Sequence, residues 1–256
     1  MPGRTYVGTA GWSIPRASHR RCPGEGSHLQ RYSRIFSGAE INSSFHRPHA
    51  EATYSKWAAA TPSYFRFAVK LPRVITHDQE LRRARVALDR FLEETAGLGR
   101  KRGPLLVQLP PSHAFDPRVA GRFFELLRRD YAGSVVCEPR HATWFTSRAD
   151  ALLVRFEIAR VAADPPPTPG AELPGGWAGL VYYRLHGSPR KYWSTYPTAY
   201  IGALGQAIQA ISPRVDVWCV FDNTASGAAL ENAWQLQELL DSDQPPTAVR
   251  RVSSSR

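Results

Sequence analysis

The chain has 256 residues, of which 43% are hydrophobic and 21% charged, so its composition excludes a disordered polymer and predicts a globular fold with a substantial core. Lysine and arginine outnumber aspartate and glutamate by 33 to 22, and the formal charge of +11 favours an anionic partner, although basic helix faces would also account for it. Three cysteines without zinc-knuckle spacing are typical of a reduced protein. No apolar run reaches the roughly 18–20 residues of a membrane span, and no signal peptide is evident, so we expect a cytoplasmic protein without a membrane partner.

Eight short apolar runs rich in β-forming residues follow one another along the chain, and each is predicted to be a strand. They are Thr5–Gly8, Ala39–Phe45, Phe65–Leu71, Pro104–Leu109, Ser134–Glu138, Arg160–Asp164, Leu180–His186 and Val215–Asp222. Amphipathic helical stretches separate most of them. Such alternation implies a parallel sheet with helices outside it, and eight units in about 250 residues predict an α/β fold of the single (β/α)8 TIM-barrel type. A doubly wound open sheet is the rival fold, but "GTAGWS" is a poor nucleotide-binding turn.

Helix signals lie between these strands. Apolar residues from Leu81 to Leu98 recur at a spacing of three or four, and Gly99 ends that pattern. Asp116 is expected to cap the following helix, with Pro117 in its first turn.

Further sequence signals predict two more helices, a long loop and the limits of the domain. Ser147 with Asp150 resembles a helix-capping pair, and a last helix is predicted from Ser226 to Leu240. Residues 165–179, rich in proline and glycine, are predicted to be a loop. We expect residues 1–241 to form one barrel domain and residues 242–256 to be a disordered tail.

Polar side chains recur near the C-terminal ends of the predicted strands. Alternate residues of a barrel strand point into the interior, so parity predicts which of them converge. The inward set is Glu40, Asn42, Ser44, Lys70, Gln108, Glu138, Arg140, Asp164, Arg184, His186 and Asp222. Buried charges without partners cost several kcal/mol each, so we expect them to pair, hold a ligand or line a wet cleft at the barrel mouth. A structural ion-pair network closing the barrel is the alternative.

Acid–base chemistry needs a group that titrates near neutral pH, and His186 is the leading candidate because its strand parity aims it inward. Glu138 and Glu40 are predicted to orient it, to act as a base or to hold a cation. Arg140 and His141 complete the predicted catalytic set.

Two loops offer groups for an anion. One follows the seventh strand and the other follows the eighth, where Thr224 and Ser226 would serve equally well as helix caps. His77 is a further candidate, with a loop-closing role as the alternative. The predicted substrate-binding set is Asn42, Lys70, His77, Gln108, Trp144, Arg184, Ser188, Arg190, Lys191, Asn223 and Thr224.

A divalent metal is left open as a cofactor. Neither a His-x-His nor a His-Glu-x-x-His pattern occurs, so an oxygen-rich Mg²⁺ or Mn²⁺ site is at least as plausible as zinc. His46 and His49 would bind metal as a pair, with a surface position as the alternative. Aromatic residues near the predicted mouth suit stacking on bases or sugars, or packing of loop on loop; these are Trp12, Phe45, Trp144, Phe145, Tyr192, Trp193 and Tyr196.

Seven motifs in order carry a family resemblance. "GTAGW", "AEINSSFHR", "FRFAVKLPRVITH", "GPLLVQLPPS", "CEPRHATWF", "YYRLHG" and "FDNTASGAALENA" resemble the YecE-like family, also called domain of unknown function 72, across nearly the whole chain. The resemblance implies a β/α barrel with signature residues at the strand ends, and it brings no established reaction. Family members commonly read Phe-Asn-Asn where this chain has Phe221, Asp222 and Asn223, which adds a carboxylate here. The implied positions are Glu40, Asn42, Ser44, Lys70, Thr76, His77, Gln108, Glu138, Arg140, His141, Trp144, Arg184, His186, Gly187, Asn223 and Thr224.

Three functions remain open on the sequence alone. The first is a hydrolase, of phosphodiesterase or nuclease type, that acts on a phosphorylated small molecule or a nucleic acid. The second is a non-catalytic barrel that binds nucleic acid, a nucleotide or a protein. The third is a sugar-directed hydrolase or isomerase that uses Glu40 and Glu138 as paired carboxylates. The oligomeric state is left open.

Overall fold

The computed structural model describes residues 3–242, and within them the strands and helices alternate along most of the chain. The strands are β1 (Thr5–Thr9), β2 (Gly38–Ile41), β3 (Arg66–Lys70), β4 (Arg102–Gln108), β5 (Val135–Glu138), β6 (Ile158–Arg160), β7 (Ala162–Asp164), β8 (Gly175–Gly176), β9 (Leu180–Leu185) and β10 (Asp216–Phe221). The helices are α1 (His28–Tyr32), α2 (Ser43–His46), α3 (Glu51–Ala59), α4 (Arg85–Ala96), α5 (Pro117–Asp130), α6 (Ser147–Arg155), α7 (Thr198–Ile211) and α8 (Ala228–Ser242).

The strands form two sheets, with the orders β1-β10-β9-β7 and β2-β3-β4-β5-β6-β8. All neighbours run parallel except β8, which is antiparallel to β6. At one edge a parallel bridge joins Ala10 to Glu40, and the Gly11 N–H donates to the Glu40 carbonyl at 2.8 Å. The sheets are also linked along the chain, because only Val161 separates β6, the neighbour of edge strand β8, from β7, an edge strand of the first sheet. The α/β class and the parallel arrangement predicted from the sequence are therefore confirmed.

Alternation along the strands divides the apolar core into two layers. On β5, Val136 belongs to an inner cluster that takes residues from both sheets, whereas Val135 and Cys137 face the outer layer beneath the helices. Tyr182 and Trp218 stack within the inner cluster, with ring centroids 6.0 Å apart. Side chains in the strands that carry the site therefore alternate between the inner and the outer layer, as predicted from the sequence.

Gly8 of β1 lies where β1 packs closely against β2, and this position has no room for a side chain. A Cβ atom placed on Gly8 would collide with the carbonyl oxygen of Gly38. A side chain at this position would push the two strands apart, at the point where the two sheets meet.

The second predicted strand is shorter than expected. The prediction of Ala39–Phe45 is wrong beyond Ile41, because residues 43–46 turn into α2. Ser44 Oγ lies 3.0 Å from the Ile41 carbonyl and 2.7 Å from the Lys70 carbonyl. This hydroxyl therefore binds backbone oxygens locally, which favours a turn over continued strand pairing.

The sixth predicted strand, Arg160–Asp164, consists of two short strands that change partners at Val161. β6 pairs with β5, whereas β7 pairs with β9. The predicted loop that follows, residues 165–179, contains the short strand β8.

The segment before α4 also departs from prediction. The apolar spacing predicted a helix from Leu81, but α4 begins at Arg85. Val74–Asp78 forms one π-helical turn, and φ is 47° at Glu80, 66° at Leu81 and 52° at Arg83. A left-handed backbone cannot continue a right-handed helix, so this stretch is a tight loop.

Helix caps follow local chemistry. Asp116 caps α5 as predicted: its Oδ1 accepts two first-turn N–H groups at 2.8 and 3.2 Å, and Pro117 is the first helical residue. The cap of α6 is Thr146 rather than Ser147, because Thr146 is the last extended residue and its Oγ1 accepts the Ala149 N–H at 3.3 Å.

The last helix is displaced by two residues at both ends from its predicted limits. It begins at Ala228 rather than Ser226 and reaches Ser242 rather than Leu240. Ser242, the first residue of the predicted tail, is thus the last residue of this helix, and the rest of that tail, residues 243–256, lies outside the described part of the chain. Between residues 3 and 242, none of the helices combines the length and the apolar character needed to cross a membrane.

Replacing Asp116 by alanine should lower the free energy of unfolding by about 1 kcal/mol, because two N–H groups of α5 lose their acceptor. Urea denaturation followed by circular dichroism measures this. Asp89→Ala is the matched control: Asp89 makes an exposed i,i+4 pair with Arg85, and its loss should cost about 0.3–0.5 kcal/mol. Equal losses in both variants would contradict the assignment of the cap.

Candidate functional site

Arg184, on β9, lies at the centre of a charged cluster at the C-terminal ends of the strands, which we call the mouth. Its side chain is 1% exposed. Nη2 lies 2.7 Å from Glu40 Oε1 and 3.0 Å from Asp222 Oδ2, and Nη1 lies 2.9 Å from Glu138 Oε2. Burial opposes the charge, but the carboxylates, led by Glu40, raise the pKa of Arg184 well above its ordinary value. One guanidinium thus joins three carboxylates that belong to three other strand ends.

Glu40 is enclosed completely, with a side-chain exposure of 0%. Arg184 Nε donates to Glu40 Oε2 at 3.0 Å, and the Tyr182 hydroxyl donates to the same oxygen at 2.8 Å. Burial, followed by the Glu40 charge, raises the pKa of Tyr182, so this hydroxyl keeps its proton. Glu40 is therefore held by the fixed donors Tyr182 and Arg184 and is shielded from solvent.

His186 bridges two carboxylates just after β9. Its Nδ1 lies 3.0 Å from Asp222 Oδ2 and its Nε2 lies 2.9 Å from Glu138 Oε1. A neutral imidazole has one N–H, so both nitrogens donate only in the imidazolium form. The two contacts occupy both ring nitrogens, and the residue is 3% exposed.

Glu138 ends β5 and contacts two guanidinium groups and the imidazole of His186. Burial alone would raise its pKa, but Arg184, Arg140 and His186 hold the pKa well below its usual range. Arg140 Nη2 lies 3.2 Å from Glu138 Oε1, and Arg140 Nη1 donates to the Tyr192 hydroxyl at 3.3 Å. The Tyr192 ring in turn meets His186 edge to face at 5.7 Å. Arg140 and Tyr192 therefore separate the buried cluster from solvent.

Lys70, the last residue of β3, is a buried cation of a different kind. It is 9% exposed, and its Nζ lies 4.0 Å from the centre of the Phe45 ring. Among residues 3–242, neither a hydrogen bond nor an ion pair ends on this ammonium. Burial, and then repulsion from Arg184, lowers the pKa of Lys70 to about 8. Lys70 is thus a cation whose charge changes near neutral pH.

His77 lies in the π-helical turn after β3. Its Nδ1 is 2.9 Å from Thr76 Oγ1, and its ring meets Phe45 at 4.9 Å. Burial, then the charges of Lys70 and other nearby cations, lowers the pKa of His77 to about 4. The imidazole is therefore neutral at neutral pH. Since Arg140 also contributes to this shift, we group Lys70, His77, Arg140 and Tyr192 as the rim of the mouth.

Two amide side chains adjoin the cluster. Gln108 is opposite Glu138 in the register of β4 and β5, and its Nε2 donates to the Leu109 carbonyl at 2.7 Å. Asn42 follows β2, and its Oδ1 is buried without a hydrogen-bond partner among residues 3–242. Both lie at strand ends, as predicted for substrate-binding groups.

Two predicted site residues lie elsewhere. Trp144 is fully buried, with its Nε1 donating to the His113 carbonyl at 2.9 Å and its ring against Phe115, so it is a core residue and not a substrate contact. His141 caps a short helical turn, where its Nδ1 accepts the Thr143 N–H at 3.2 Å. Both follow the strand, where parity no longer applies.

Asp164 and Asn223 stabilise the outer structure. Asp164 Oδ1 accepts the Tyr196 hydroxyl at 2.8 Å, so the prediction that it points inward is wrong. Ala162, two residues earlier on the same face of β7, belongs to the outer layer of the core. Asp164 therefore points outward as well. Asn223 is fully buried and donates to the Ser194 carbonyl at 2.8 Å and to Asn232 at 3.0 Å, so it anchors a loop.

The predicted anion loops are peripheral. Arg190 lies over the exposed Trp193 ring at 4.7 Å, and Lys191 and Thr224 are exposed. Ser188 is half-buried. These residues do not join the charged cluster, although Tyr192 of the same loop does.

Tyr182 and Tyr192 are the site residues that sequence reasoning did not assign. Tyr182 has the same parity as Arg184, so the strand pattern contained the signal. Tyr192 was noted only among aromatic residues; its φ of 65° is a feature of the loop backbone that the sequence does not reveal. Within residues 3–242, groups of three or more His, Cys, Asp or Glu side chains suited to a metal ion do not occur.

Comparison with known sequences identifies the family. The profile described as "Protein of unknown function DUF72" matches residues 6–254, and the chain belongs to this family. It is similar to UPF0759 protein YecE of Escherichia coli strain K12, with 27% identity over 143 residues, which are 55% of this chain and 50% of that protein. The chain thus spans about half the length of the curated relatives that it matches.

Solved structures share the fold. A DUF72 family protein of Enterococcus faecalis V583 has a TM-score of 0.78 and 20% identity, covering 93% of this chain and 95% of that chain. Another from Thermotoga maritima MSB8 has a TM-score of 0.76 and 24% identity, covering 93% and 99%. A xylose isomerase-like TIM barrel/4-hydroxyphenylpyruvate dioxygenase fusion protein has a TM-score of 0.53 and 13% identity, covering 94% and 42%.

Replacing Arg184 by methionine should lower the free energy of unfolding by about 3–5 kcal/mol, because three buried carboxylates lose their shared partner. Urea denaturation measures the loss. Arg85→Met is the control, because its ion pairs are half exposed and worth about 0–1 kcal/mol. A loss no larger than that of the control would show that the cluster is not what holds the strand ends.

The low pKa of Glu138 also predicts an acid-dependent stability. Above the unfolded value of 4.5 its ionised form stabilises the fold, and this contribution is lost as the pH falls further. Wild-type unfolding free energy should therefore fall more steeply below about pH 5 than that of Glu138→Gln. Exposed Glu25→Gln is the control and should retain the wild-type slope. Parallel curves for wild type and Glu138→Gln would contradict the assignment.

Proposed function

We propose that the two sheets close into one (β/α)8 barrel whose mouth binds a phosphate-bearing substrate at Lys70 and Arg140. Closure is supported by the bridge between Ala10 and Glu40 at one edge and by the link along the chain between β6 and β7. The inner cluster, which takes residues from both sheets, also supports it.

We infer an anionic ligand mainly from the Lys70 ammonium, which is buried without a hydrogen-bond or ion-pair partner among residues 3–242. A buried charge without a hydrogen-bonded partner costs several kcal/mol. The three nearby carboxylates, Glu40, Glu138 and Asp222, are already bound by Arg184, Arg140 and His186. An external anion is the group that would complete the coordination of Lys70, and a phosphoryl group offers several acceptor oxygens for Lys70 and Arg140 together.

The reaction we propose is hydrolysis of a phosphate ester. Water attacks phosphorus, the bond to the leaving oxygen breaks, and Lys70 gives its proton to that oxygen. The OH group of water stays on phosphorus, and the other proton of that water reaches the neutral amine of Lys70 through solvent, which restores the ammonium. Arg140 stabilises the charge on the phosphoryl oxygens. This assignment moves proton transfer from His186 and Glu138 to Lys70, because the first two are enclosed and already paired.

A non-catalytic anion binder is the second candidate. It is favoured by the complete internal pairing of Glu40, Glu138 and Asp222, which leaves them as poor proton acceptors. A glycosidase is less well supported, because the carboxylates of Glu40 and Glu138 both bind the guanidinium of Arg184. Nucleic acid stays within the proposed substrate class, since Trp193 is 48% exposed beside Arg190.

Sulfate binding should depend on the protonation of Lys70. The ammonium form dominates below the pKa of about 8, so affinity should fall about tenfold between pH 7 and pH 9 as that charge is lost. Isothermal titration with sulfate measures this, because the charge of sulfate is constant over that range. Lys70→Gln should bind weakly with a flat pH profile, whereas Lys56→Gln, at an exposed position on α3, should retain wild-type behaviour.

Turnover of p-nitrophenyl phosphate and bis(p-nitrophenyl) phosphate separates the two candidates. Hydrolysis that falls above pH 8 and disappears in Lys70→Gln would support the hydrolase. Sulfate binding without turnover of either ester or of an oligonucleotide would support the binder. Wild-type sulfate affinity in Lys70→Gln would overturn the anion site itself.

A further inference from the structure

A groove of about 480 Å³ lies beside the mouth, on the outer side of the rim. One wall is the face of α4 that carries Val86, Ala87 and Phe91. The lining also includes Phe45 of α2 and Val74 of the π-helical turn. This volume lies within the range of protein ligand sites.

Apolar side chains in this groove are left open to solvent. Val86 is 81% exposed, which is the highest value among the exposed large hydrophobic residues of the described chain, and Val74 is 38% exposed. Single exposed apolar residues are common, but two that line the same groove form a surface that a partner would bury.

The charges in the groove are unbalanced. Its charged lining residues are Arg47, Arg73, Asp78, Arg83, Arg90 and Glu94. Both carboxylates are already bound by arginine, at 3.1 Å and 2.7 Å. Within residues 3–242, Arg47 and Arg83 have neither a hydrogen bond from their side chains nor an ion pair, and both are exposed. The two free guanidinium groups favour an acidic partner.

The shape of the groove favours a linear segment. Its wall on α4 runs from Val86 to Glu94, which is about 12 Å at the rise of an α-helix. About four residues of extended peptide have this length. An apolar groove with free cations suits a segment that alternates large apolar and acidic side chains.

We propose that this groove docks a short acidic peptide segment of a partner protein. Leucine- or phenylalanine-sized side chains contact Val86 and Val74, and carboxylates bind Arg47 and Arg83. The groove lies outside the rim, so this docking site does not rest on the phosphate-binding function.

Fluorescence anisotropy of a fluorescein-labelled peptide of about eight residues, with leucine and phenylalanine among glutamates, tests the proposal. Val86→Glu places a like charge at the centre of the apolar wall and should weaken binding about tenfold or more. Val154→Glu is the matched control, because Val154 is an exposed valine, 48% accessible, on α6 away from the groove, and it should leave affinity unchanged. Both positions are exposed, so both variants should fold.

Three results would overturn the proposal. They are equal weakening by the two valine variants, equal binding of a peptide whose leucine and phenylalanine are replaced by serine, and displacement of the peptide by a single-stranded RNA that binds more tightly. The last result would instead assign the surface to nucleic acid. Val86→Glu should bind sulfate as well as the wild type does. Loss of peptide binding can therefore be distinguished from loss of the anion site at Lys70.

Discussion

The guanidinium of Arg184 determines the arrangement of the mouth. It binds carboxylates from the ends of β2 and β5 and from the residue after β10, and these contacts lie inside the protein. Transfer of four charged groups from water is costly, and the cost is offset only if each has its hydrogen-bonding partners in place. The strand ends therefore have to keep their relative positions. Glu40 and Glu138 are also occupied by these contacts. Protonation of either carboxylate would weaken its contact with Arg184.

Asp222 adds a constraint on His186. Its Oδ2 lies 3.0 Å from both Arg184 Nη2 and His186 Nδ1, so one oxygen contacts two nitrogen groups. Asparagine at this position would remove one negative charge and would leave the imidazole with a single carboxylate, that of Glu138. Asp222 therefore contacts both Arg184 and His186, and its charge is used within the cluster. At the rim, by contrast, the Lys70 ammonium has no ion pair with any carboxylate of residues 3–242.

The sequence predicted the cluster because side chains alternate strictly in a strand. Glu40, Glu138 and Arg184 converge for that reason, and their apolar neighbours of the same parity fill the inner cluster. Parity failed at Asp164 because the sixth strand changes partners at Val161. The assignment of Trp144 to the mouth rested on its aromatic side chain and on the family resemblance, and neither reveals that the turn after β5 packs the indole against Phe115 in the core. Which charges pair, and which one is left unpaired, depends on distances that no spacing encodes.

Phe45 connects the rim to the outer groove. Its ring lies 4.0 Å from Lys70 Nζ and 4.9 Å from the His77 ring, and the same residue belongs to the groove wall. A cation over an aromatic face is stabilised by the ring, and this is the one attractive short-range contact of the Lys70 ammonium within residues 3–242. A displacement of Phe45 would weaken that contact and favour the neutral amine. Any ligand that moves this ring from the groove side would therefore change the charge available for an anion at the mouth, because the two surfaces share one side chain.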